Sequence, residues 1–106
     1  MRVEVAHLDD EGHYATVAPH ELVVLGHRFF RRVVISSVEV CRPESESLDI
    51  TFRRGPLAAR WSGLYFAAPV ELGWLVSAKE DVKIEVKNFG PLPVFARIFL
   101  DVQERP

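Results

Sequence analysis

Hydrophobic and polar residues alternate along most of this chain with the period of two that marks a strand with one dry and one wet side. From Asp81 the pattern is regular: Val82, Ile84 and Val86 share one face, and Lys83, Glu85 and Lys87 the other. The arm that follows is not regular. Val94, Ala96, Ile98, Leu100 and Val102 share one face, but the opposite face carries Phe95 and Phe99 around Arg97, where polar residues are due. With Asn88-Phe89-Gly90-Pro91 as the turn, the two arms predict a β-hairpin whose second arm is covered on both faces.

The same reading divides the rest of the chain. A strand over Arg2 to His7 closes in the turn Asp9-Asp10-Glu11-Gly12, and His13 to Ala18 stops at Pro19, which has no N–H to continue a ladder. Leu22 to Leu25 is wholly apolar, so it is expected to be covered on both faces and ended by Gly26. Arg28 to Val40 reads as one long strand. Its apolar parity shifts between Val33-Val34-Ile35 and Val38/Val40, which predicts a bulge near Ser36-Ser37. After the polar loop CRPESESL, Leu48, Ile50 and Phe52 alternate with Asp49, Thr51 and Arg53, and Arg54-Gly55-Pro56 turns the chain. Pro56 suits the first position of a short helix through LAARW as well as the start of a strand. Gly63, Pro69 and Gly73 argue against one long helix between Leu57 and Ala78, and LYFAA and VELGWLV read as strands.

About eight strands and no definite helix predict an all-β protein, a single β-sandwich domain over residues 1–106. A sheet must bury its apolar face against another sheet or close on itself, which leaves a jelly-roll-like sandwich or, as the alternative, an immunoglobulin-like one.

Composition removes several function classes. The 106 residues are 48% hydrophobic and 26% charged, too apolar for a disordered chain. Thirteen basic and 15 acidic residues give a net charge of −2, so no overall field draws the molecule to nucleic acid or to an anionic membrane, and neither is expected as a partner. The only cysteine is Cys41, which allows no intrachain disulfide. MRVEVAHLDD lacks the apolar run of a signal peptide, and no segment reaches the roughly 20 apolar residues of a membrane helix. Synthesis in the cytoplasm is therefore expected.

Candidate chemistry is sparse. His7, His13, His20 and His27 recur at intervals of six or seven, but a metal site needs imidazoles that converge with a further ligand such as Glu21, and this spacing forces no convergence. The HxH element of metal-binding cupins is absent. Arg31-Arg32 and Arg53-Arg54 match phosphate geometry, yet pairing with Glu39, Asp49 or the ESES loop explains them more simply. Cys41, Ser36, Ser37 and Ser62 stand in no nucleophile frame such as GxSxG, and Asp9/Asp10 and Glu44/Glu46 read as loop acids. The sequence therefore predicts neither an enzyme nor a cofactor or metal site.

What remains is surplus aromatic surface. A sandwich of this length cannot enclose all its aromatics in one core if alternation holds, and aromatics grouped with arginine match the composition of protein interfaces. Phe95, Arg97 and Phe99 are the predicted interface anchors, joined by one of Phe29 and Phe30 and by Trp61 or Trp74.

The segment PVELGWLVSAKEDVKIEVKNFGPLPVFARIFLDV, about a third of the chain, resembles the last strands of small jelly-roll structural proteins of viruses and phages. The shared element is a turn of the N-x-G-x-x-P-V kind, here Asn88 to Val94, leading into a long final strand. Immunoglobulin-like accessory domains of bacterial surface proteins use a similar lead-in. The first resemblance implies a virion component (a minor capsid, decoration or tail protein), a homo-oligomer that binds other copies of itself or a larger protein shell. The alternative is a ligand-binding β-sandwich module for carbohydrate or a metal ion.

Overall fold

Alternating β-branched and aromatic residues build ten strands among the residues described by the computed structural model, 1–40, 47–62 and 69–105. The side chains of residues 61 and 62 are outside that description. The strands are β1 (Arg2–Ala6), β2 (Thr16–Val17), β3 (Leu22–Arg28), β4 (Val33–Val40), β5 (Leu48–Arg54), β6 (Leu57–Ser62), β7 (Val70–Val76), β8 (Asp81–Asn88), β9 (Val94–Phe95) and β10 (Arg97–Glu104). Two four-stranded sheets form, in the orders β1-β10-β4-β7 and β3-β8-β5-β6, and β2 pairs with β9 beside them. All the pairings are antiparallel.

The order follows from one long ribbon wound around a core. Its tip is β5 paired with β6; behind the tip β4 pairs with β7, β3 with β8, and β1 with β10. Winding then brings β10 against β4 and β5 against β8. This is the double-sheet jelly roll. An immunoglobulin sandwich, with sheets ABED and CFG, does not pair its first strand with its last.

The inner faces follow the alternation in the sequence. Val82, Ile84 and Val86 of β8 stand between Leu48, Ile50 and Phe52 of β5 and Val23 and Leu25 of β3, with Phe52 in register with Ile84, and Ile50 with Val86. Opposite them lie Ile98, Leu100 and Val102 of β10 and Val33, Ile35, Val38 and Val40 of β4. The parity shift in β4 is a bulge, as the sequence predicts: Val102 pairs with Ile35 and Asp101 with Ser37, so Ser36 is the extra residue. Both serines bind Asp101, Ser36 Oγ donating to its carbonyl at 3.0 Å and Ser37 Oγ to its carboxylate at 2.9 Å. On the β7 side the irregularity is absorbed by Gly73, whose φ of 66° suits glycine.

Four expectations are corrected. The C-terminal arms are not a hairpin, because β8 lies in one sheet and β10 in the other. Two amphipathic arms can bury their apolar stripes side by side or facing each other, and the connection Phe89–Pro93 is too long for a tight turn and contains Pro91 and Pro93. Its conformation is held by Asn88, the one polar residue buried among those described. Asn88 Nδ2 donates to the carbonyls of Val17 (3.0 Å) and Leu92 (2.7 Å), and its Oδ1 accepts from Gly90 N at 2.9 Å.

The apolar run in β3 is not covered on both faces. It continues through Gly26 to Arg28 as an edge strand, with Leu22 54% and Val24 60% exposed. Arg28 to Val40 is not one strand either, since Phe29–Arg32 is the loop between β3 and β4. The last arm is divided at Ala96 into β9 and β10. Residues 57–62, where helix and strand were both open, form β6. Cys41, Glu44, Ser45 and Glu46 of the ESES loop, and Leu64, Tyr65 and Phe66 lie outside the described residues.

Candidate functional site

The outward face of β10 answers the question raised by Phe95 and Phe99. Register places Phe99 between Glu4 of β1 and Glu39 of β4. Arg2 lays its guanidinium over the Phe99 ring, 4.4 Å from the centroid, and donates to Glu39 at 3.1 Å. Arg97 approaches the same ring at 5.7 Å and stacks on Tyr14 at 4.4 Å. Tyr14 reaches this position because Thr16 pairs with Phe95, and because His7 N donates to Ala96 O and Ala15 N to His7 O, both at 3.0 Å.

One carboxylate joins the parts. Glu4 accepts from the Tyr14 hydroxyl and from Arg97 Nη2, the latter at 2.9 Å. The Tyr14 hydrogen bond, with Arg97 adding to it, holds the Glu4 carboxyl below its ordinary pKa against an opposing effect of burial. The same hydrogen bond raises Tyr14 above the ordinary tyrosine value. The result is an alternating stack, Tyr14, Arg97, Phe99 and Arg2, whose cations are attracted to the ring faces. Phe99 is half-buried under these neighbours. Phe95, 41% exposed at the end of the stack, is not covered in this way, and Leu8 and Tyr14 beside it are each 48% exposed.

No protein-family pattern matches this chain, and no curated protein matches it. Its site is therefore read from geometry.

The other predicted anchors divide. Phe29 is buried at 5% while Phe30, next to it, is 79% exposed at the far end of the sandwich. Trp74 is half-buried and packs against the core, in register with Ile35. The backbone of Trp61 pairs with Ile50, and its side chain lies outside the described residues. Among the anchors whose side chains are described, Phe95, Arg97 and Phe99 share one outward face.

Among the described residues no three His, Cys, Asp or Glu side chains gather as a metal site. His13 lies by Asp9 and Glu11, at 3.7 and 3.6 Å, and His27 packs edge-on against Phe29. Glu39 and Asp49 do pair with arginines, but with Arg2 and Arg60 rather than with the double-arginine pairs. Arg53 pairs with Glu85 and Arg54 with Glu80.

Sequence reasoning missed Tyr14, Glu4 and Arg2. Alternation puts Arg2 and Glu4 on the wet face of β1, but only the pairing of the first strand with the last sets them beside Phe99.

Proposed function

We propose that this protein is a structural subunit that works through protein–protein contacts, docking through Phe95, Arg97 and Phe99 with Tyr14 and Leu8 beside them. The observation that carries this reading is the stack itself. Aromatic and arginine side chains, the types that dominate binding energy at interfaces, are held in one arrangement by Glu4 and Glu39 before any partner arrives. An ordered side chain loses less entropy on docking than a free one.

A virion component (a minor capsid, decoration or tail protein) is the setting that the jelly-roll order favours, because viral shells use this architecture repeatedly. Its partners are other copies of itself or a larger shell. The test is light scattering of the wild type beside a variant carrying Phe95→Asp and Phe99→Asp. The wild type is expected to associate, and the variant to be a folded monomer. A wild type that stays monomeric at high concentration and binds nothing refutes the reading.

A further inference from the structure

The strands of the sandwich terminate at two ends, and these ends differ in charge. At the end where β3 and β10 finish, the loop Phe29–Arg32, the β7–β8 turn and Arg105 converge: Lys79 N donates to Phe29 O at 2.7 Å and Arg105 N to Arg32 O at 2.8 Å. Arg28 pairs there with Asp81, and Arg31 with Glu104. Arg32, Lys79 and Arg105 are left with no carboxylate at ion-pair distance among the described residues. Amid these three cations stands Phe30, the most exposed large apolar side chain among those described, at 79%. Beside it opens a cleft of about 370 Å³ with Met1, Val3, Phe29 and Val33 in its lining.

The described loops of the opposite end are acidic. These loops, 7–15, 18–21 and 89–93, hold Asp9, Asp10, Glu11 and Glu21 and no Lys or Arg. Among these acids are Leu92 at 69% exposure, Phe89 at 47% and Phe95 at 41%.

We propose that the chain associates head to tail, the basic Phe30 end of one copy seating on the acidic Leu92/Phe95 end of the next. The inference rests on the assembly reading above and names the partner as a second copy. Two arguments favour it over a two-fold dimer. Opposite charges meet in a head-to-tail contact, whereas acidic end against acidic end sets Asp9, Asp10 and Glu11 against their own copies, a like-charge arrangement that disfavours the pairing. Apolar surface is also present at both ends, so Phe30 packs among Leu92, Phe89 and Phe95, and the cleft receives a side chain the size of Leu92. Such a contact is heterologous and builds a ring if its rotation closes, or a filament if it does not.

Blocking each end separately tests this. One chain carries Phe30→Asp with Arg32→Glu, the other Leu92→Asp with Phe95→Asp; all but the half-committed Phe95 are well exposed, and circular dichroism with thermal melting verifies folding. Sedimentation velocity is expected to find each variant monomeric alone, the equimolar mixture a one-to-one complex and nothing larger, and the wild type more extended in mass. Raising salt from about 50 mM to about 500 mM is expected to weaken the complex, as screening shortens the reach of exposed charges. If the Phe30 variant associates like the wild type, the head-to-tail contact is wrong while the assembly reading stands. A monomeric wild type overturns the head-to-tail contact, and one that also binds no other protein overturns the assembly reading with it.

Discussion

Tyr14 and Arg97 stack where β2 and β9 adjoin β10, the guanidinium carbon 4.4 Å from the tyrosine ring centroid. Glu4 of the first strand binds both of them. A jelly roll pairs its first strand with its last, so a carboxylate near the start of the chain orders an arginine near its end. The outer face of the first sheet is organised by topology as much as by composition.

This arrangement has a titration signature. Because the Tyr14 hydroxyl donates to Glu4, Tyr14 is expected to ionise above the usual tyrosine value of about 10, and Glu4→Gln to bring it back. Ultraviolet titration of the wild type minus that of Tyr14→Phe isolates the residue. The signs are opposite for the two partners. A raised tyrosine pKa contributes stability that is present below the unfolded value and lost as pH rises through the folded one. The lowered Glu4 pKa contributes stability that is present above the unfolded value, about 4.3, and lost as pH falls through the folded one. An unshifted midpoint for Tyr14 contradicts the hydrogen bond.

Asn88 is expected to be among the most sensitive polar positions. Replacing it with alanine strands the carbonyl of Val17 and the N–H of Gly90 in a buried site and removes a partner from the part-buried carbonyl of Leu92. With roughly 1–3 kcal/mol for each unsatisfied buried group and partial relaxation, Asn88→Ala is expected to cost about 3 kcal/mol in urea unfolding. A cost below about 1 kcal/mol contradicts its role in holding the β8–β9 connection.

Gly90 tests the same corner sterically. A Cβ built at this position lies 2.7 Å from Ser47 Cβ and 3.3 Å from Asn88 Oδ1, closer than packed atoms stand without moving. Gly90→Ala is expected to destabilise by about 1–3 kcal/mol, whereas Gly12→Ala, where no neighbour lies within 4 Å, tests backbone strain alone at φ 85°. Equal midpoints for Gly90→Ala and the wild type in thermal unfolding contradict the packing described.

Several elements were legible from alternation alone. Val82, Ile84 and Val86 face inward and Lys83, Glu85 and Lys87 outward as the period of two requires, and the parity shift in β4 locates the bulge at Ser36. What alternation cannot specify is which strand lies opposite which. Two amphipathic arms look the same in sequence whether they lie side by side or face each other across a core, so β8 and β10 read as a hairpin although they belong to different sheets. Burial on both faces was misassigned in β3, where Leu22 and Val24 are apolar yet exposed on an edge strand, whereas the outward-facing Phe99 is covered in part by Arg2 and Arg97 from its own chain. Phe95, Arg97 and Phe99 were legible as a group because they break the alternation. Tyr14 and Glu4 break nothing, and only the fold brings them to the same place.

The central claim is that the Phe95 end of this sandwich meets another copy of the same chain. The mass of the native particle tests it most directly, measured by light scattering behind size exclusion over a range of concentrations. The account predicts a wild-type mass that is a multiple of the 12.0 kDa chain, and a fall to the single-chain mass when Phe95 and Phe99 are both changed to aspartate. A wild type that remains at 12.0 kDa at every concentration, and is unchanged by the substitutions, contradicts it.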